Sequence, residues 1–157
     1  MFYDLAEPPM PENEESLSLL ADWLQENIEL CLTSEIFNEI DRQDNEVKRK
    51  RTKAFAHTFV SLPSPDDAFQ RICRDLRWFF PERMDTSDKS DLRQLARAIA
   101  ADVQFFITRD EPLLKMAEPI YENFGIHIMR PADLIIHQDA LVREVEYQPA
   151  RQEHLDE

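Results

Sequence analysis

The segment from Asp91 to Asp110 most constrains what this chain can fold into. Its first part, DLRQLARAIA, has apolar residues at helical spacing, and its second part, VQFFI, is a short apolar, β-branched and aromatic run. This pattern predicts a helix that Asp91 opens, followed by a buried strand that ends just before Asp110. Ligands of open parallel sheets bind beyond the carboxyl ends of the strands. We therefore expect the two carboxylates to share one site.

Helical and strand patterns alternate along the rest of the chain. Apolar spacing predicts helices over residues 16–29, 34–59, 64–80, 91–100 and 112–124 and from Pro131 onward. Short apolar runs predict strands at 30–33, 103–107 and 126–129, and residues 82–90 have the composition of a polar loop. The alternation favours an α/β fold with a parallel sheet. Periodicity fades from about Val142, so we expect residues 1–141 to form one domain and 142–157 a tail or linker.

The charge distribution restricts the partners that the chain can have. The net charge is −14, and residues 1–47 carry thirteen acids and one base. The bases concentrate in a basic run, which consists of Lys48, Arg49, Lys50, Arg51 and Lys53. An acidic chain binds polyanions poorly, so a nucleic acid would have to approach through this run. The single glycine, Gly125, excludes glycine-rich phosphate-binding loops.

The chain has the features of a cytoplasmic protein. No apolar run approaches the ~20 residues that span a membrane. The first residues include Asp4 and Glu7 and lack the basic start of a signal peptide. Cys31 and Cys73 lie in apolar segments, which predicts reduced cysteines with a packing role.

The order of the elements and acids resembles a PIN domain, the metal-dependent nuclease fold of many prokaryotic toxins and RNA-processing enzymes. The resemblance covers most of the chain and rests on DLRQLARAIA, FFITRD and FGIHIMRPADL, with LTSEIFNEI upstream. It implies a three-layer fold with a central parallel sheet and helices on both faces. It also implies cleavage of RNA by water that Mg²⁺ or Mn²⁺ activates. By position, the catalytic and metal-binding residues would be Glu39, Asp91 and Asp110.

The sequence departs from the family pattern at its start. The family begins with a central strand that ends in Asp-x-Asn or Asp-x-Ser, whereas Met1–Leu5 resembles the segment directly after that motif. Either the sequence starts late, or this member lacks the strand and its acid, which Asp4 comes too late to replace. A sheet without its middle strand exposes hydrogen-bonding groups on both neighbours. With three acids in place of four, we expect weak or absent nuclease activity.

The candidate acids also have structural interpretations. Asp91 and Asp110 each precede an apolar periodic run and would serve as helix caps. Glu35 lies one turn before Glu39 on the same predicted helical face, so it competes for the inward-facing position. A solvated helix surface is the alternative for both glutamates.

The candidate substrate-binding residues are basic or lie beside Asp110. They are Thr108, Arg109, Lys48, Arg49 and Arg51. The basic run would contact RNA phosphates, form a solvated surface, or receive an antitoxin-like inhibitor. Arg93 and Arg97 are either surface bases or phosphate contacts near Asp91.

The residues leave three functions open. The first is a PIN-type endoribonuclease, for example the toxin of a toxin–antitoxin pair, with RNA, an inhibitor protein or a second copy as partners. The second is a catalytically impaired PIN-like module that binds RNA or protein. The third is the nuclease-like half of a larger protein.

Overall fold

The computed structural model describes the backbone of residues 1–155 and the side chains of residues 1–145. Within that range, helices and short strands alternate. The α-helices and strands are, in chain order, α1 Phe2–Ala6, α2 Glu14–Leu17, α3 Asp22–Gln25, β1 Cys31–Thr33, α4 Ser34–Asp41, α5 Glu46–Ala56, β2 Val60–Leu62, α6 Asp66–Leu76, α7 Thr86–Ala100, β3 Phe105–Ile107, α8 Glu111–Lys115, α9 Ala117–Phe124, β4 His127–Met129 and α10 Pro131–Leu155. No helix in this described range is both long and apolar enough to cross a membrane.

The strands form two separate parallel pairs. β1 pairs with β2, with Leu32 opposite Ser61, and β3 pairs with β4, with Phe106 opposite Ile128. The predicted alternation of helices with parallel strands is therefore confirmed. Among residues 1–155, however, the strands do not join into one continuous central sheet. The sequence pattern does not predict β2, because Val60–Leu62 has only two apolar residues and directly follows the run that reads as a helix.

The interior consists of three apolar clusters. The largest packs α6 and α7 against α9 and β4, with Leu76, Leu95 and Ile120 fully buried. The second joins α1, α4 and α5 through Phe2, Ile36, Ile40 and Ala56, and the third joins Leu19 and Leu24 to Leu134 of α10. Full burial of each large apolar side chain contributes roughly 1.5–3 kcal/mol. These clusters fix α4 and α7, which carry two of the predicted site residues.

Helix α7 begins five residues earlier than the apolar pattern indicates. Asp85 caps it: the Asp85 carboxylate accepts a hydrogen bond from the Asp88 backbone N–H at 2.7 Å, and the Asp88 carboxylate accepts one from the Asp85 N–H at 3.2 Å. This reciprocal pair is a capping box. The prediction that Asp91 opens or caps the helix is wrong, because Asp91 lies inside it. The first turn, TSDKS, is polar and reads as a loop in the sequence.

Two other predicted helices are interrupted. The helix expected over 34–59 is divided into α4 and α5, because a new helix starts after Asn45, whose side chain accepts a hydrogen bond from the Lys48 N–H at 3.0 Å. The helix expected over 16–29 consists of short helical segments, with Ala21 in extended conformation between two of them. The Asn45 cap accounts for the division between α4 and α5. At Ala21 no side-chain cap accompanies the break.

The carboxyl-terminal half follows the prediction more closely. Gly125 ends α9 with φ +73°, the left-handed conformation that glycine adopts at low cost. Pro131 starts α10 as predicted, and the backbone stays helical to Leu155, beyond the boundary expected at residue 142. The assignment of residues 142–157 as a tail or linker stays a prediction.

We predict that Asp85→Ala lowers the free energy of unfolding by about 1 kcal/mol, because it removes the cap of α7. Asp85→Asn should retain most of the stability, since asparagine caps helices as well as aspartate does. Urea unfolding of both variants provides the measurement. Equal losses in the two variants would show that the charge of Asp85, and not its capping hydrogen bond, stabilises α7.

Candidate carboxylate site

Glu39, Asp91 and Asp110 line one cavity. Its volume is about 810 Å³, and it lies between β1 and β3. Glu39 comes from α4, which begins directly after β1, and Asp110 follows the end of β3. Asp91 comes from the first half of α7, which leads back along the chain to β3. Residues beyond the carboxyl ends of two strands thus face a shared space, as in other parallel α/β architectures.

The acids influence one another electrostatically at Asp91. Burial, and then the charges of Asp110 and Glu39, raise the pKa of Asp91 to about 7. Asp88 raises it further, and the Met1 amino group lowers it. Asp91 therefore carries its proton over part of the neutral range, where an ordinary aspartate is ionised.

Glu39 is held at the cavity by α1. The Tyr3 hydroxyl donates a hydrogen bond to Glu39 Oε2 at 3.5 Å, which is a long contact. Burial and the Glu39 charge both raise the pKa of Tyr3, so the phenol remains a donor at neutral pH. The contact therefore places a hydrogen-bond donor of α1 beside the Glu39 carboxylate.

Asp110 has the capping role that its sequence position suggests. Its Oδ2 accepts a hydrogen bond from the Leu113 N–H at 3.2 Å, which caps α8. Its own N–H donates to Thr108 Oγ1 at 3.1 Å, and Thr108 is buried. The buried threonine thus fixes the turn that presents Asp110 to the cavity. Its assignment to substrate binding stays a prediction.

Glu35, the competitor of Glu39, is a buried ion-pair partner. Glu35 is 5% exposed, and its carboxylate lies 3.3 Å from Arg93 Nε and 3.5 Å from Arg97 Nε. The interpretation of Glu35 as a solvated residue is wrong. The two arginines of α7 pair with this buried carboxylate, and Arg97 also contacts Asp66 at 3.0 Å. Of the two glutamates, Glu39 is the one that lines the cavity.

Arg109 connects the loop after β3 to the first residues of the chain. Its Nη1 lies 3.1 Å from Asp4 Oδ2 and donates to the Glu12 carbonyl at 2.6 Å. Asp4 also accepts a hydrogen bond from Ser16 Oγ at 2.8 Å. The Arg109 guanidinium is thus engaged by this network, although the residue borders the cavity. Its assignment to substrate orientation stays a prediction.

The basic run lies on α5, outside the cavity lining. Lys50 pairs with Glu46 at 3.1 Å, and Lys53 pairs with Asp41 at 3.0 Å. Arg49 donates to the Gln43 carbonyl at 3.0 Å. Lys48 and Arg51 are exposed. The cationic surface and the acid cavity are therefore separate features, and phosphate binding by Lys48, Arg49 and Arg51 stays a prediction.

The carboxylate oxygens of the site are suitable ligands for a hard divalent cation, but their positions in this structure do not form a coordination shell. Within the part of the chain that the structure describes, no group of three His, Cys, Asp or Glu side chains is placed to hold a metal ion. Carboxylate oxygens nevertheless suit Mg²⁺ and Mn²⁺. A cation would also offset the charges of Asp110 and Glu39, which add to the effect of burial in raising the pKa of Asp91. Glu39, Asp91 and Asp110 therefore remain the predicted ligands, and coordination would require them to approach one another.

Comparison with known proteins does not assign a family. No protein-family model matches the chain, and searches of curated proteins and of solved structures give no significant match. The functional argument therefore depends on the residues of the site and on their arrangement.

We predict that Asp91→Asn flattens the pH dependence of stability. The pKa of Asp91 is higher in the folded protein than its ordinary value of 3.8, so the folded state keeps a proton that the unfolded chain releases. Stability should therefore fall as pH rises from about 4 to about 7, and the loss should be complete above that range. The free energy of unfolding of Asp91→Asn, minus that of wild type, should therefore be larger at pH 8 than at pH 4.

Urea unfolding with a chelator present tests this expectation. Asp67→Asn is the matched control, because Asp67 is exposed on α6 and does not line the cavity. If the curves of Asp91→Asn and wild type run parallel across this pH range, Asp91 has an ordinary pKa.

Proposed function

We propose that this protein is a metal-dependent endoribonuclease of the PIN type, with Glu39, Asp91 and Asp110 as its metal-binding and catalytic residues. The supporting observation is that all three acids line one cavity, where burial and then the charges of Asp110 and Glu39 raise the pKa of Asp91. The proposal includes a three-layer arrangement, in which the two strand pairs belong to one central parallel sheet with helices on both faces. It also includes a cytoplasmic location, which the free thiols of Cys31 and Cys73 support.

Each acid has a distinct part in this proposal. Mg²⁺ or Mn²⁺ would supply an activated water and stabilise the leaving oxygen of a phosphodiester. Tyr3 orients Glu39, and the Leu113 N–H orients Asp110. Asp91 must lose its proton to solvent before its carboxylate can act as a ligand. Cation binding should therefore release a proton and weaken as pH falls below about 7.

RNA binding near the acids requires a positively charged surface close to the cavity. Three carboxylates repel a phosphate chain, so the cavity alone would attract RNA poorly. Helix α5 packs against α4, the helix that carries Glu39, and presents Lys48 and Arg51 to solvent. In this proposal α5 holds the RNA backbone while α4 and α7 supply the site. An antitoxin-like inhibitor or a second copy of the chain would be expected to compete for the same basic surface.

We predict that the protein binds Mn²⁺ and cleaves a mixed RNA pool slowly, and that a chelator stops the cleavage. Asp110→Asn should weaken Mn²⁺ binding and lower the cleavage rate by roughly 10²-fold, because it removes a ligand charge. Asparagine is also a good N-cap, so α8 should persist. Calorimetry measures binding, and gel analysis of the RNA measures cleavage.

The control for this experiment is Asp67→Asn, which removes an equal charge from an exposed position outside the cavity. Its Mn²⁺ affinity and cleavage rate should match those of wild type. A wild-type rate in Asp110→Asn would contradict the mechanism.

A second candidate function is a PIN-like module that binds RNA without cleaving it. The observation that favours this function is the exposure of Lys48 and Arg51 on a helix outside the cavity lining. Cationic side chains that are not held by acids on their own surface can neutralise phosphates and release counterions.

We predict that Lys48→Ala with Arg51→Ala weakens RNA binding and reduces its salt dependence. Each lost contact to single-stranded phosphate lowers the slope of log K against log salt by about 0.7, so two contacts lower it by about 1.4. Lys50→Ala with Lys53→Ala is the matched control, because those lysines pair with Glu46 and Asp41. Fluorescence anisotropy over a salt series provides the measurement. Equal effects of the two double variants would indicate a response to net charge alone.

A further inference from the structure

Trp78 is a large aromatic side chain that the fold leaves in solvent. It is 90% exposed, whereas Trp23 is 39% exposed. It belongs to a short 3-10 helix, Arg77–Phe79, that continues α6, and the neighbouring Phe80 is buried. A single exposed apolar residue is ordinary on a protein surface, so the surroundings of Trp78 decide what it can do.

Trp78 borders an open cavity with aromatic and polar sides. The volume of this cavity is about 380 Å³, and its lining consists of Asp75, Trp78, Phe79, Asn123 and Phe124. Phe79 and Phe124 meet edge to face with their ring centres 6.2 Å apart, which connects the end of α6 to the end of α9. The lining shares no residue with the acid cavity. The two cavities are therefore separate places on the molecule.

Two arginines precede Trp78 on the exposed side of α6. Arg71 and Arg74 lie seven and four positions before Trp78, spacings that place side chains along one helical face. Both are exposed, and among residues 1–145 neither forms an ion pair. Arg77, by contrast, donates to backbone carbonyls of the following loop. Two cations and one aromatic ring on this face are thus accessible to a ligand.

We propose that Trp78 stacks on one nucleobase of single-stranded RNA, with Arg71 and Arg74 beside the sugar–phosphate backbone. Unpaired bases stack on aromatic side chains, and neighbouring cations neutralise the phosphates. The proposal rests on the proposed function for RNA as the ligand, but it requires neither a metal ion nor the acid cavity.

The chemistry of this surface favours a base over a protein partner. Stable protein interfaces bury roughly 800 Å² on each side around a core that is depleted of charge. Here the apolar surface centres on one exposed indole with charged side chains beside it. A base needs only one aromatic face, and the side-chain oxygens of Asp75 and Asn123 in the lining can accept hydrogen bonds from its amino group. Adenine, which has such a group, is therefore a suitable probe.

The test uses Trp78 as its own fluorescent reporter. The chain has two tryptophans, so Trp23→Phe leaves Trp78 as the single one. Octaadenylate RNA is titrated into this variant with chelator present, and stacking of adenine on the indole should quench the fluorescence in a saturable way. An abasic oligomer of the same length carries equal phosphate charge without bases, so it should not quench.

Substitutions of the exposed residues separate stacking from charge. Trp78→Ala should weaken octaadenylate binding about 5- to 150-fold, the effect of losing one stacked base. Fluorescence anisotropy measures it in a Lys48→Ala, Arg51→Ala background, which removes the exposed cations of α5. Because Trp78 is exposed, the fold should persist.

The arginines are tested by the salt dependence of the Trp78 quenching. Arg71→Ala with Arg74→Ala should weaken binding and lower the slope of log K against log salt by about 1.4, while quenching at saturation remains. Lys50→Ala with Lys53→Ala is the matched control, because it removes equal charge from side chains that pair with acids on α4 and α5. Its slope should equal that of the parent.

Other results would overturn the proposal. RNA binding without quenching of Trp78 would place the RNA elsewhere and leave the proposed function standing, whereas absence of all binding would contradict both. Equal quenching by the abasic oligomer would mean that no base is stacked. Self-association that Trp78→Ala abolishes would assign the indole to a second copy of the chain. Saturable quenching without cleavage in Mn²⁺ would support this site and contradict the nuclease activity.

Discussion

The arrangement of the helices around the site depends on one buried carboxylate. Glu35 of α4 lies between Arg93 and Arg97 of α7, and Arg97 reaches on to Asp66 of α6 while its guanidinium lies 3.6 Å from the centre of the Phe69 ring. A buried charge without a partner is costly, so α4 can pack here only with α7 in this position. Glu39 follows Glu35 by one turn, and Asp91 precedes Arg93 on the same helix. The network that stabilises the packing thereby also sets the relation between two of the candidate acids.

A second polar network positions the third candidate acid, Asp110. Arg109 pairs with Asp4, and Asp4 also accepts the Ser16 hydroxyl, so the turn before Asp110 is attached to α1 and α2. These contacts hold α1 near the cavity, where Tyr3 meets Glu39. Both networks pair acids with arginines. Among residues 1–145, no arginine forms an ion pair with Glu39, Asp91 or Asp110, and burial and the neighbouring carboxylates raise the pKa of Asp91. Carboxyl groups whose pKa is raised by burial and by like charges are typical of functional sites.

The sequence predicts the structural elements that depend on local residue patterns. It does not predict features that depend on contacts between residues far apart in the chain. Three strands, the stop at Gly125 and the cap at Asp110 are local features, and each is present. The start of α7 was missed because its capping box sits in a polar segment that resembles a loop. The burial of Glu35 depends on two arginines about sixty positions later, which one sequence cannot reveal. That Glu39, Asp91 and Asp110 line one cavity agrees with the positional match, whereas their role as ligands is still a prediction.

The solvent exposure of the cavity influences the electrostatic repulsion among its acids. Its lining includes the apolar residues Phe105 and Leu134, and it also includes the three candidate carboxylates. Phe105, Phe106 and Ile107 of β3 are only partly buried. Exclusion of solvent from the cavity would strengthen the repulsion among the carboxylates, since charges interact more strongly at lower effective dielectric constant. The acids would then depend more on a compensating cation or on protonation, so the solvent exposure of the cavity and the charge state of the acids cannot vary independently.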